Sequence, residues 1–225
     1  MTRTTNARVA GATFLLYIAV GVTSMVIAGG AAAGAEVAAK VASLAQHATD
    51  VRIAYVLNLI TCFAALVLAV TLYAITRDED PDLAMLALTC RVGEGVLSGV
   101  FIAAGLGQLW LADAAGSGAP DAEAVRALGA LAFQAGAWNP AAMFFAVGST
   151  LFSWLLLRGR MIPVPLAWLG VVASVLLVVA LPLELAGLAG PFGVYEYLPM
   201  LAFEVPLGLW LLIKGVAAPR AALAV

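Results

Sequence analysis

The chain has 225 residues, of which 64% are hydrophobic and only 11% are charged, and its mean hydropathy is +1.06. Soluble domains have about 45–50% apolar and about 25% charged residues, so one aqueous core cannot bury this much apolar surface. The composition predicts an integral membrane protein. The formal net charge of -2 leaves no basic stripe that could neutralise phosphates, which argues against a nucleic-acid partner.

Apolar runs of roughly twenty residues recur along the chain, which is the length that crosses ~30 Å of hydrocarbon. They cover residues 8–30, 52–76, 83–112, 127–157, 164–188 and 197–216. The first run is interpreted as a retained helix, because it is longer than the ~7–15-residue core of a secretory signal. The sequence predicts an all-α polytopic bundle of six transmembrane helices. It is expected to form a single integral membrane domain over residues 1–225.

Residues 31–50 are too polar to span a membrane, yet Val37, Val41 and Leu44 recur at helical spacing. They predict a short helix at the membrane surface after the first span. His47, the one histidine of the sequence, lies on this segment and is interpreted as solvated or interfacial. One histidine is too few for a histidine-rich metal centre or a bis-histidine haem, so neither metal nor cofactor is expected.

Lysine and arginine are distributed unequally between the two sides of the predicted bundle. With the N-terminus inside, seven of them fall on the cytoplasmic side and three on the outer side. The inner group is Arg3, Arg8, Arg77, Arg158, Arg160, Lys214 and Arg220; the outer group is Lys40, Arg52 and Arg126. Because cytoplasmic loops carry the excess of these residues, both termini are expected in the cytoplasm.

The third span contains the segment ALTCRVGEGVLSG, in which Arg91 and Glu94 stand three residues apart in an apolar context. A charge at mid-membrane costs at least ~2.5–3.5 kcal/mol on insertion scales, so it normally faces the bundle interior and has a partner. Glu94 lies roughly 15 Å from the cytoplasmic end of its helix, and Glu204 roughly 12 Å from the outer end of the sixth helix. Arg91 is therefore expected within hydrogen-bonding reach of Glu94 or Glu204.

Further polar residues fall at similar depths, between the midplane and the outer surface. They are Asn58, Asn139, Glu184 and Tyr197. Together with the charged residues they are predicted to line a polar intramembrane cavity that opens toward the outer leaflet. Glu94 and Glu204 are the candidate catalytic acids, and Arg91, Asn58, Asn139, Glu184 and Tyr197 are the candidate substrate-binding residues.

One arginine cannot neutralise Glu94, Glu184 and Glu204 together. Either water reaches some of these carboxyl groups or at least one of them carries a proton, because burial and like-charged neighbours disfavour the charged form. A protonated carboxyl group can act as an acid. Two structural interpretations remain open: in one, Arg91 and Glu94 are a pair that locks the third helix against its neighbours; in the other, Glu184 is an interfacial residue.

Four segments resemble an uncharacterised family of small bacterial six-span membrane proteins, classed as domain of unknown function 4386. They are RVAGATFLLYIAVGV (8–22), RIAYVLNLITCFAALVLAVTLYAI (52–75), CRVGEG (90–95) and RGRMIPVPLAWLGVVAS (158–174). The resemblance implies a six-helix fold and a multi-pass location in the bacterial cytoplasmic (inner) membrane. It carries no activity, substrate or catalytic residue.

Three classes of function fit these patterns. The first is a cavity that binds, or transforms by acid catalysis, an apolar small molecule such as a lipid or isoprenoid. The second is a proton-coupled transporter of a small molecule, although six helices without a repeat are not the usual build. The third is an accessory or immunity-type membrane subunit whose polar core is structural. The expected partner is a membrane lipid or an apolar small molecule, and the oligomeric state is left open.

Overall fold

The computed structural model describes residues 1–34, 36–116, 122–135, 139–190 and 193–218. All regular secondary structure of the described residues is helical, and these residues contain no strand. Its helices are α1 (Arg3–Ala31), α2 (Val37–Gln46), α3 (Ala48–Thr76), α4 (Pro81–Gly116), α5 (Ala122–Ala135), α6 (Pro140–Arg158), α7 (Val164–Leu185) and α8 (Leu198–Ile213). A 3₁₀ helix, Gly193–Tyr197, leads directly into α8.

Within the described residues, six helical segments are long and apolar enough to cross a membrane. They are Arg3–Ala31, Ala48–Thr76, Pro81–Ala115, Pro140–Arg158, Val164–Leu185 and Tyr195–Ile213. The predicted all-α fold with six spans is therefore confirmed. The short helix expected after the first span is present as α2, and its position at the membrane surface stays a prediction.

The fourth apolar run differs from its predicted bounds. The sequence predicts one span over 127–157, whereas the structure has the separate helix α5 followed by α6, which begins at Pro140. Proline is well tolerated in the first turn of a helix, where its missing N–H would have no helical partner. Helix α4 also continues beyond the predicted end of the third run at residue 112, as far as Gly116; residues 117–121 lie outside the described part.

The helices form two compact units. The first comprises Met1–Ile18, Phe63–Val96 and Pro140–Val225, and the second comprises Ala19–Cys62 and Leu97–Asn139. Helices α1, α3 and α4 each contribute one part to each unit. The expectation of a single domain over the whole chain stays a prediction.

A very close contact between α1 and α8 organises the first unit. A Cβ atom added to Gly11 would lie 2.5 Å from the carbonyl oxygen of Gly208 and 2.5 Å from the amide nitrogen of Leu212. Only glycine lets two helix backbones approach this closely, as is common in helix pairs inside membranes. This contact fixes the position of α8, which carries Glu204.

In the first unit, ion pairs join Arg158, the last residue of α6, to the turn between α3 and α4. Nε of Arg158 lies 3.1 Å from Glu79 Oε1, and its Nη1 donates to Asp80 Oδ2 at 3.1 Å. Asp80 also accepts the backbone N–H of Leu83 at 3.1 Å, which caps the start of α4. This backbone hydrogen bond, assisted by Arg158, lowers the pKa of Asp80.

Candidate functional site

Arg91 on α4 is one of the most deeply buried side chains of the first unit, with 1% of it exposed. Its stem fits against α6 because residue 148 is glycine: a Cβ there would lie 3.1 Å from Arg91 Cγ. Its guanidinium carbon lies 5.1 Å from the ring centroid of Phe145 and 5.9 Å from that of Tyr17. Both distances are in the range of cation–π interactions. Arg91 is thus held between α1 and α6.

Glu94 is the charged partner of Arg91. Nη1 of Arg91 lies 2.8 Å from Glu94 Oε2, across three residues of α4. The hydroxyl group of Tyr17 donates a hydrogen bond of 2.7 Å to Glu94 Oε1. The predicted contact between Arg91 and Glu94 is therefore confirmed. Tyr17, from α1, completes the arrangement around this carboxylate.

The ion pair with Glu94 engages one nitrogen atom of the Arg91 guanidinium, Nη1, at 2.8 Å. Among the described residues, Nε and Nη2 of Arg91 have no hydrogen-bond partner. A buried guanidinium nearly always has hydrogen-bond acceptors, so this one requires explanation.

Glu204 on α8 is the second buried carboxyl group of this region, with 5% of it exposed. Glu204 and Arg91 line the same cavity, whose volume is about 10 Å³. Among the described residues, its lining is Phe14, Leu72, Arg91, Ser149, Phe152, Ser153, Leu156, Phe203, Glu204 and Leu207. We call Tyr17, Arg91, Glu94 and Glu204 the charge centre. It contains one cation, two carboxyl groups and one phenol hydroxyl group, and apart from Ser149 and Ser153 the other side chains that line the cavity are apolar.

Two other predicted site residues form a different polar group. Glu184 lies in the last turn of α7 and Tyr197 ends the 3₁₀ helix; both are half-buried. The carboxyl groups of Glu184 and Glu196 lie close enough for their like charges to interact. Neither Glu184 nor Tyr197 is among the residues that line the cavity at Arg91. The interpretation of Glu184 as an interfacial residue stays open.

Asn58 and Asn139 belong to the second compact unit. Asn58 is half-buried, and its Oδ1 accepts a hydrogen bond of 3.0 Å from Ser24 of α1. Ser24 also donates to the backbone carbonyl of Ala54 at 2.9 Å. Asn139 is exposed and immediately precedes α6. That these two residues share a cavity with Glu94 stays a prediction.

Sequence reasoning did not single out Tyr17, Ser149 and Ser153. Ser149 and Ser153 are one helical turn apart on α6 and both are buried, so the i, i+4 spacing of two hydroxyl groups was a usable signal. Tyr17 had a weaker signal, because its hydroxyl oxygen is one isolated polar atom within the first apolar run. No group of three or more histidine, cysteine, aspartate or glutamate side chains that could hold a metal is found in the described ranges.

Fold and charge centre together define a polytopic integral membrane protein with ionisable groups in its core. Its sequence matches the model of a family described as a domain of unknown function (DUF4386) over residues 9–215. The chain belongs to this family, as the four resembling segments suggested. No curated protein and no solved structure matches it significantly.

Proposed function

We propose that the charge centre is a proton-exchanging site and that Glu204 carries the proton. In this proposal the protein is a transporter that couples proton movement to the passage of a small molecule. The observation that supports this is the charge balance. Arg91 is already in ion-pair contact with Glu94 at 2.8 Å, so a second ionised carboxyl group would leave the buried centre with a net negative charge. Such a charge is expensive inside a membrane, and a proton on Glu204 removes it.

Tyr17 and Arg91 give the carboxyl groups of Glu94 and Glu204 different surroundings. Glu94 has a hydrogen-bond donor and a cation, both of which stabilise its ionised form. Glu204 lines the cavity beside Arg91, among the aromatic side chains of Phe152 and Phe203. Two carboxyl groups whose surroundings differ in this way commonly take different protonation states. Glu94 is therefore the fixed carboxylate, and Glu204 is the carboxyl group that gains and loses the proton.

The cavity volume favours a proton over an apolar ligand. The cavity beside Glu204 measures about 10 Å³, which is about the space that one water molecule needs. A lipid or isoprenoid would require this part of the bundle to open widely. Native mass spectrometry of the purified protein, followed by lipid extraction, tests that alternative: a single co-purifying apolar species would support it.

Infrared spectroscopy of the protein in lipid nanodiscs tests the proton site. We expect a protonated-carboxyl C=O band near neutral pH that disappears reversibly as the pH is raised and is missing in Glu204→Gln. The matched control is Glu79→Gln, because Glu79 is buried and paired with Arg158 at 3.1 Å. This control should leave the band unchanged. A wild-type spectrum without the band, or a band that persists in Glu204→Gln, contradicts the proposal.

We also infer that the protein lies in a bacterial inner membrane with both termini in the cytoplasm. The seven-to-three distribution of lysine and arginine supports this orientation; one of the seven, Arg220, lies outside the described residues. A fluorescent protein that matures only in the cytoplasm, fused to the C-terminus, should fluoresce. A phosphatase that is active only in the periplasm, fused at the same point, should be inactive, and the reverse pair of results contradicts the orientation.

A further inference from the structure

We infer that the cavity between Arg91, Glu204, Ser149 and Ser153 binds one water molecule, which hydrogen-bonds to the guanidinium and exchanges protons with Glu204. This inference rests on the proposed function, because it names the immediate proton-exchange partner of Glu204. It adds a binding site, its occupant and two hydroxyl residues to the charge centre.

The first observation is the guanidinium itself. Arg91 is 1% exposed and its Nη1 faces Glu94 at 2.8 Å, whereas within the described part of the chain its Nε and Nη2 have no hydrogen-bond partner. Arginine presents five N–H donors, and buried donors are nearly always satisfied by protein or by ordered water. Arg91 also lines the cavity. An acceptor inside the cavity therefore satisfies donors that the protein atoms leave unsatisfied.

The second observation is the size and chemistry of the cavity. A volume of about 10 Å³ corresponds to about one water molecule, and a buried water needs two to four polar partners. Arg91, Glu204, Ser149 and Ser153 provide four polar side chains around it. A small anion fits less well, because Glu94 already neutralises Arg91 at 2.8 Å and the Glu204 carboxyl group lines the same space.

Proton exchange with this water leaves every charge unchanged. One O–H bond of the Glu204 carboxyl group breaks as a new O–H bond forms on the water. The water returns one of its other protons to the carboxylate, so both molecules end as they began. Ser149 and Ser153 act as positioning residues, since their hydroxyl groups hold the water between Arg91 and Glu204 without gaining or losing charge.

Hydrogen–deuterium exchange at Glu204 tests the water site. After transfer of nanodisc-embedded protein into D₂O, the Glu204 carboxyl band shifts at the rate at which its proton exchanges. Ser153→Val fills the cavity and removes a hydroxyl group, so this shift should slow several-fold; Ser149→Val should act in the same direction. Ser174→Ala is the control, because the buried Ser174 hydroxyl donates to Gly170 of its own helix at 2.7 Å. It should exchange like the wild type.

The outcomes separate this inference from the proposed function. A Glu204 band that shifts at the wild-type rate in both valine variants overturns the water site while leaving the proton site intact. A missing Glu204 band overturns the proton site itself. A density map that shows ordered waters tests the occupant without any variant: we expect a water within hydrogen-bonding distance of Arg91 and Glu204, and an empty cavity overturns the inference.

Discussion

The pairing of Arg91 with Glu94 predicts a large energetic coupling between the two side chains. Arg91 is 1% exposed and Glu94 is 3% exposed, so replacing Arg91 by leucine leaves a buried carboxylate without its cation. Breaking a buried ion pair in this way costs about 3–5 kcal/mol. The carboxylate can escape part of this cost by taking up a proton, which places the expected loss near the lower end of the range.

The double variant Arg91→Leu with Glu94→Leu should lose much less than the two single variants together. Replacing a whole buried ion pair by apolar side chains is often neutral or stabilising, by about 1–4 kcal/mol in measured cases. One further loss remains, because Tyr17 no longer has Glu94 as its acceptor. An unsatisfied buried donor costs about 1–3 kcal/mol, so adding Tyr17→Phe to the double variant should restore part of the stability.

Reversible unfolding of the purified protein in bicelles measures these free energies as a double-mutant cycle. We expect a coupling free energy of about 3 kcal/mol or more for Arg91 with Glu94, since each single variant strands the partner. Arg3 and Asp78 provide the control pair, at 3.4 Å and with side chains 25% and 50% exposed. Exposed pairs couple by about 0.2–1 kcal/mol. If the Arg91–Glu94 double variant equals the sum of the single variants, the two side chains do not stabilise each other.

Three further changes test other parts of the structure. Gly11→Ala places a methyl group 2.5 Å from backbone atoms of α8 and should destabilise the protein by about 1–3 kcal/mol or more in the same unfolding assay. Gly29→Ala is the control and should be near neutral, because the space around Gly29 is open. Equal effects of the two variants would refute the close helix contact. Tyr17→Phe removes a hydrogen bond to a buried carboxylate and should lower the free energy of unfolding by about 1.5–3 kcal/mol in the same assay. Unchanged stability would show that the hydroxyl group does not donate to Glu94. Because a backbone hydrogen bond lowers the pKa of Asp80, its carboxylate stabilises the fold above the pKa of an unfolded aspartate and loses this effect as the pH falls through the lower folded value. Asp80→Asn should therefore lower the unfolding temperature near neutral pH, and the difference from wild type should vanish in acid; a difference that persists in acid contradicts this reasoning.

Hydropathy predicts the membrane spans well because length and apolarity are the properties that a bilayer selects. It fails at the fourth run, since residues 127–135 are apolar enough to join the next span although they form the end of α5. That helix packs within the second unit: a Cβ on Gly129 would lie 2.8 Å from Val37 of α2. Although this helix–helix contact is long-range, the sequence carries a periodic signal for it: α5 is amphipathic, as α2 is, whereas the following span α6 is nearly uniformly apolar around its axis.

The charge pair was predictable, whereas its surroundings were not. Three residues along a helix bring side chains to one face, so Arg91 and Glu94 meet for local reasons. The contribution of Tyr17 depends on where α1 lies against α4, which the sequence of α1 does not encode locally. In a helix that is apolar on every side, the face toward lipid and the face toward the bundle have similar composition. Only scattered polar atoms then reveal the buried face, and the cavity volume depends on packing alone.

The burial of Glu204 is the feature that bears most on whether the polar core is structural or functional. A structural ion pair needs one cation and one anion, and Arg91 with Glu94 already provides such a pair within α4 at 2.8 Å. A second carboxyl group, 5% exposed, adds a cost of burial that this pair does not require. Because apolar side chains can fill such a position at equal or better stability, burial of Glu204 is explained more simply by a proton that it carries than by packing. Ionisable groups inside membranes commonly serve that purpose.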